Sequence, residues 1–134
     1  MGRMAATFDG VVLIAHGARD ERWMVPFHLM RAELEKKLAP ARVALSFLDF
    51  APPKFAEAVA ELCAQGARHL LVAPVFLSGG GHVAKDVPEL VAPERARYPE
   101  VTFTIAGAIG EEPEVTAAMA DAVVRLARGG RGSP

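Results

Sequence analysis

The chain's 134 residues, 51% hydrophobic and 23% charged, suit one domain that buries roughly 65–70% of the surface its unfolded form exposes. With 15 basic against 16 acidic side chains the net charge is -1, which excludes the basic footprint of a nucleic-acid binder; the lone Cys63 excludes an intramolecular disulfide and fits a reducing cytoplasm. The longest apolar runs, residues 11–15 and 70–77, exclude a membrane span of ~20 residues, and residues 1–7 lack a signal-peptide core or a myristoylation site.

Residues 1–9 read as a lead-in to a first strand, Val11-Val12-Leu13-Ile14-Ala15, which is apolar throughout, like a strand covered on both faces. Phe27, Met30, Leu34 and Leu38 then share one helical face, with His28, Arg31, Glu35 and Lys36 on the others. Trp23 and Met24, just before, either line a cleft or staple this helix. A second strand follows in Val43-Ala44-Leu45-Ser46-Phe47-Leu48. The second helix carries Phe55, Val59, Leu62 and Cys63 on its stripe, with Gly66 as its cap. His69-Leu70-Leu71-Val72-Ala73 is the third strand.

The third helix is the least regular. Asp86-Val87-Pro88-Glu89 has the form of a capping box, and Pro93 and Pro99 predict a short or irregular segment. Val101-Thr102-Phe103-Thr104-Ile105-Ala106 forms the fourth strand, its two Thr suiting a sheet edge. A last helix, opened by Pro113, presents Val115, Met119, Val123 and Leu126. Residues 128–134 read as a flexible Gly- and Arg-rich tail. This alternation predicts an α/β fold over residues 10–127, an open parallel four-stranded sheet with helices on both faces.

Ligands of such sheets bind beyond the carboxyl ends of the strands. The first strand ends in His16-Gly17-Ala18-Arg19-Asp20, the second in Asp49-Phe50-Ala51-Pro52-Pro53. The third runs into Pro74-Val75-Phe76-Leu77-Ser78-Gly79-Gly80-Gly81-His82, with Lys85 and Asp86 beyond, and the fourth into Gly107-Ala108-Ile109-Gly110-Glu111-Glu112. His16 is either a buried histidine bonded to backbone or a ligand, and His82 either a loop histidine or a ligand. Together on one edge they form a candidate site for a divalent transition metal or for proton transfer near pH 7. Asp49 is a third ligand, a group that orients a histidine, a helix N-cap or a solvated turn acid. The Ser78-Gly79-Gly80-Gly81 loop lets backbone approach a ligand, either an anion or a large planar ring. No GxGxxG or P-loop sequence supports a nucleotide site.

The segment His16-Gly17-Ala18-Arg19-Asp20 resembles the HGSRD-type motif of the small sirohydrochlorin chelatases of CbiX/SirB type, with Ala18 where Ser is usual. Phe47-Leu48-Asp49-Phe50-Ala51-Pro52-Pro53 is similar to their FLE-x-x-x-P segment. The stretch from Pro74 to Pro88 resembles P-x-F-L-x-x-G-x-H-x-x-x-D-I-P, the most specific of the set. Gly110-Glu111-Glu112-Pro113 resembles G-x-H-P, with Glu112 in place of His.

The resemblance spans roughly residues 10–127 in order and implies a chelatase-like, flavodoxin-like fold. It further implies insertion of a divalent metal (Co2+ first, otherwise Fe2+ or Ni2+) into sirohydrochlorin on the path to cobalamin or sirohaem, with no organic cofactor. The metal-binding and catalytic histidines map onto His16 and His82. Asp49 takes the acidic position, one methylene shorter than the usual Glu. Arg19, Ser78, Gly79, Gly80, Gly81 and Lys85 are the substrate-contacting candidates, the two cations facing the ring's carboxylates. The chain is about half as long as two-lobed relatives, which implies a homodimer. A non-catalytic metal or tetrapyrrole carrier using the same histidines is the alternative. A histidine-phosphatase reading fails because Ala15 stands where an Arg is needed.

Overall fold

The alternation of side chains along each strand decides which faces of the sheet are covered. In the computed structural model, which describes residues 7–130 without the His82 side chain, four strands lie parallel. They are β1 (Gly10–Ala15), β2 (Arg42–Phe47), β3 (His69–Pro74) and β4 (Thr102–Ile105), in the order β2-β1-β3-β4. Gly10 pairs with Arg42 on one side of β1 and with Leu70 on the other, and His69 of β3 pairs with Thr102. The expected lead-in and tail fall partly outside the described residues, at 1–6 and 131–134.

The helices are α1 (Val25–Leu38), α2 (Phe55–Ala64), α3 (His82–Arg97) and α4 (Pro113–Ala127). Val12 and Ile14 of β1, Leu70 and Val72 of β3 and Phe103 of β4 pack with Phe55, Val59 and Leu62 of α2 and with Val87 and Val91 of α3. Val11, Leu13 and Ala15 face the other way with Val43, Leu45 and Phe47, against Phe27, Leu34 and Leu38 of α1. Two-sided coverage is why β1 and β3 read as continuous apolar runs. The edge strand β4 shows Thr102 and Thr104 to solvent on the α1 side.

Two polar groups tie the core. The buried Ser46 hydroxyl donates to the Leu13 carbonyl at 2.9 Å, so its burial leaves no orphan. The buried Glu94 carboxylate accepts from the Arg97 guanidinium at 3.0 Å. Cys63 packs against the core, and burial pushes its thiol pKa up, away from reactivity.

The third helix corrects its sequence expectation. It runs for 16 residues from His82, with Gly81 at φ 61° as its N-cap and with Pro88 and Pro93 inside it. Asp86 therefore sits within the helix and caps nothing. An internal Pro costs roughly 3 kcal/mol by removing a donor and crowding the preceding turn. Burial of Val87 and Val91, each worth about 1.5–3 kcal/mol, with Val83 and Leu90 packed beside them, offsets that cost. The apolar stripes of the outer helices also differ from expectation: Met30 of α1 is exposed, and α4 buries none of its residues. Met24 lies in the α1-side core, whereas Trp23, on a 3-10 turn at Glu21–Trp23, is exposed.

Candidate active site

Beyond Ala15 the β1 and β2 backbones stay paired. The Leu48 N–H donates to the Ala15 carbonyl at 2.9 Å and the Asp49 N–H to the His16 carbonyl at 3.0 Å. Gly17 makes the turn possible: its φ is +88°, and a Cβ there would strike the Asp49 carbonyl. His16 and Asp49 thus lie side by side at the carboxyl edge of the sheet, both exposed. His16 is therefore not a buried, backbone-bonded histidine, and Asp49 does not cap α2, whose N-cap is Lys54.

A cavity of about 510 Å³ opens at this edge. His16 and Asp49 line it from the strand ends, with Leu48 and Phe76 beside them. The Phe76 ring meets the His16 imidazole edge to face, the centroids 5.1 Å apart. The far wall is α3, which contributes Val83, Val87 and Leu90 together with Asp86 and Glu89. Mostly apolar walls carrying a few polar groups suit a large flat ligand. A second cavity of about 240 Å³ adjoins it, sharing Leu48, Glu89 and Leu90 and adding Lys54.

The other candidates are distributed as follows. The Arg19 guanidinium sits 5.1 Å above the exposed Phe50 ring, and Phe50 itself holds φ 73°. Lys85 is exposed on α3, and neither Arg19 nor Lys85 lines the main cavity. The Ser78 hydroxyl accepts the Gly80 N–H at 3.2 Å, while the Gly79 N–H donates to Glu111 Oε2 at 3.1 Å. Gly80 and Gly81 are exposed. The His82 backbone opens α3 at this same edge, and its side chain lies outside the described residues.

Asp20 caps the 3-10 turn, and the Arg22 guanidinium and N–H bonded to it hold its carboxyl below the usual range, so it serves the turn. His28 is exposed and tilts toward Phe47. His69 lies at the opposite edge of the sheet, its Nδ1 2.9 Å from the Thr102 hydroxyl. Among the described residues no three His, Cys, Asp or Glu side chains converge as a metal cage, and no helix is long and apolar enough to cross a membrane.

Sequence reasoning missed Glu89, Leu48, Leu90 and Lys54 as cavity residues. For α3 the signal was present: Val83, Asp86, Val87, Glu89 and Leu90 fall on neighbouring positions of one helix face once the helix starts at His82.

The CbiX family model matches residues 10–126. The chain belongs to the CbiX family. This CbiX chain is 30% identical over 112 residues to the sirohydrochlorin cobaltochelatase of Saccharolobus solfataricus, a match covering 79% of the chain and 86% of that enzyme. A CbiX protein of Marinobacter aquaeolei superposes with a TM-score of 0.76 at 30% identity, over 89% of this chain and 97% of that one. The sirohydrochlorin chelatase SirB from Bacillus subtilis, solved in complex with cobalt, superposes with a TM-score of 0.78 at 24% identity over 88% of this chain. The match spans 50% of SirB, so the CbiX chain described here has about half the length of that relative.

Proposed function

We propose that this chain is a metal chelatase that inserts a divalent cation, Co2+ first, into sirohydrochlorin. The observation that carries the reading is the family match over residues 10–126, laid on a fold whose apolar cavity opens beside His16 at the carboxyl edge of the sheet. The S. solfataricus relative, named a cobaltochelatase, supports cobalt; on our reading Fe2+ and Ni2+ are competing metal substrates and no organic cofactor takes part. The place of work is the cytoplasm, with neither nucleic acid nor membrane as partner.

Insertion replaces two pyrrole N–H protons with the metal ion, so the site must hold a cation near the ring and accept protons. His16 and His82 hold the metal as neutral imidazoles; as the ion passes to the ring, one imidazole, its lone pair freed, takes one of the two pyrrole protons, and the other goes to Asp49 beside His16 or to solvent. Coordination stays incomplete so that the ion can leave for the ring. Leu48, Phe76, Val83, Val87 and Leu90 supply apolar surface for the macrocycle. The loop of Ser78, Gly79, Gly80 and Gly81 lets the ring approach backbone, and Arg19 and Lys85 pair with its peripheral carboxylates. The working unit is a homodimer in which a second copy stands for the other half of a SirB-length chain.

The deciding experiment mixes the full chain with sirohydrochlorin and each metal under anaerobic conditions and follows the absorption spectrum. The expected result is insertion above the uncatalysed rate, fastest with Co2+, and a fall of roughly 10²–10⁴-fold in His16→Ala and His82→Ala. Parent and variant rates equal to the uncatalysed rate would overturn the reading, and stoichiometric binding without turnover would make the chain a carrier.

A further inference from the structure

The turn between β4 and α4 grips the loop between β3 and α3 at two points. At the first, the Gly110 N–H donates to the Phe76 carbonyl at 2.8 Å. The backbones are so close there that a Cβ on Gly110 would overlap Leu77. At the second, the Glu111 carboxylate accepts the Gly79 N–H at 3.1 Å. The gripped loop carries both ends of the site. Phe76 supports the His16 imidazole from one side, and Gly79 stands three positions before His82, where α3 begins.

A cavity of about 250 Å³ lies under this loop, lined by Gly79, Val83, Ala84 and Glu111 among others. Gly79 therefore borders open space on the side of this cavity. Apart from bonds within α3, which Gly81 caps, the described hydrogen bonds of Ser78 to Gly81 are the local one from Gly80 to Ser78 and the long-range one from Gly79 to Glu111. A glycine-rich segment has the largest conformational freedom to lose, so one charge-assisted bond has leverage over its position.

We infer that Glu111 is a positioning residue for the chelatase site: its carboxylate latches the Gly79 amide and so fixes the loop that runs into α3 at the carboxyl edge of the sheet. Glu111 touches neither metal nor macrocycle and acts through Gly79. The side chain is exposed and packs in no core, so its loss leaves the fold standing. A Gln at this position keeps an amide oxygen at the same reach and restores most of the latch.

This inference rests on the chelatase reading, and its test separates the two. Glu111→Ala and Glu111→Gln are compared with the parent for amide exchange at Gly79, Co2+ affinity by competition with a chromophoric chelator, and kcat and KM for insertion. The expected result for Glu111→Ala is faster Gly79 exchange, a Co2+ affinity and a kcat each lower by about tenfold, KM within about twofold and an unchanged unfolding midpoint. Glu111→Gln should lie close to the parent in each. Unchanged Gly79 exchange in Glu111→Ala would overturn the latch whether or not the parent is a chelatase. Faster exchange with parental Co2+ affinity and kcat would overturn the link to the site. A parent with no insertion activity but a latch-dependent Gly79 amide would sink the chelatase reading and with it this role for the latch.

Discussion

The His16 imidazole meets the Phe76 ring edge to face, with centroids 5.1 Å apart and planes at 74°. The exposed histidine is thereby in contact with a side chain from the neighbouring strand end, and both rings line the cavity. Such a pair is worth about 0.5–1.5 kcal/mol beyond the area it buries. Phe76→Leu keeps apolar bulk but loses the aromatic contact, so His16 should sample other rotamers. Insertion should slow by about 2–10-fold with a small effect on the unfolding midpoint, and the His16 ring resonances should shift in the NMR spectrum.

Gly17 carries the geometry that puts His16 beside Asp49. Its φ of +88° costs a residue with a Cβ roughly 1–2 kcal/mol, and the Cβ would also collide with the Asp49 carbonyl. Gly17→Ala must therefore pull apart the bond from the Asp49 N–H to the His16 carbonyl. Loss of at least about 2 kcal/mol in denaturant unfolding is expected, with insertion reduced more than in Phe76→Leu. A variant as stable and active as the parent would show that the turn tolerates another path.

Much of this layout was legible from patterning. Continuous apolar runs in β1 and β3 and the alternating Thr residues of β4 mark the central and edge strands, because coverage on one or two faces sets the side-chain period. The histidines after β1 and before α3 could be assigned to one edge because all strands run parallel. What patterning did not give is the extent of α3: Asp86 with Pro88 read as a helix start and Pro93 as a breaker, and only the burial of Val87 and Val91 against strands distant in sequence outweighs the internal prolines. The Glu111 contact with Gly79 was hidden for a similar reason. It joins residues on two separate loops, and neither residue has a local signature of its partner.

Acid should destabilise the fold through two carboxylates that hold backbone amides. Burial alone would raise the Asp9 pKa, but its bonds from the His69 and Arg68 N–H groups outweigh this and hold it below the ordinary value. Glu35 is lowered first by the Val43 N–H, which it accepts at 3.0 Å on the edge strand β2, and further by Arg31. A carboxyl depressed in the folded state stabilises above its unfolded pKa, roughly 4 for either residue. That contribution is lost as pH falls through the lower folded value. Denaturant midpoints should therefore be flat from pH 7 to about 5 and drop below about 4, and the drop should be shallower in Asp9→Asn and Glu35→Gln. Both side chains are partly solvated, so the expected size is at most about 1 kcal/mol each.

The helix α4 is where the proposed homodimer is most directly tested. It is about 22 Å long and buries no residue, with Met119 at 50% and Val123 at 64% exposure, and Val124 and Leu126 exposed beside them. An apolar stripe of this length on a free surface marks an interaction site. On the homodimer reading proposed above, the occupant is a second copy of this chain. Light scattering on the eluting protein should give twice the chain mass of 14.2 kDa. Met119→Glu with Val123→Glu should shift the mass to one chain without unfolding it, because neither side chain has a core partner to lose. A parent that elutes as a single chain at working concentration, or a charged pair that leaves the dimer intact, would move the interface away from α4. Since α4 follows directly on the turn that carries Glu111, dissociation should also lower insertion rates in proportion to how firmly that turn is held, which a dilution series of the parent would read directly.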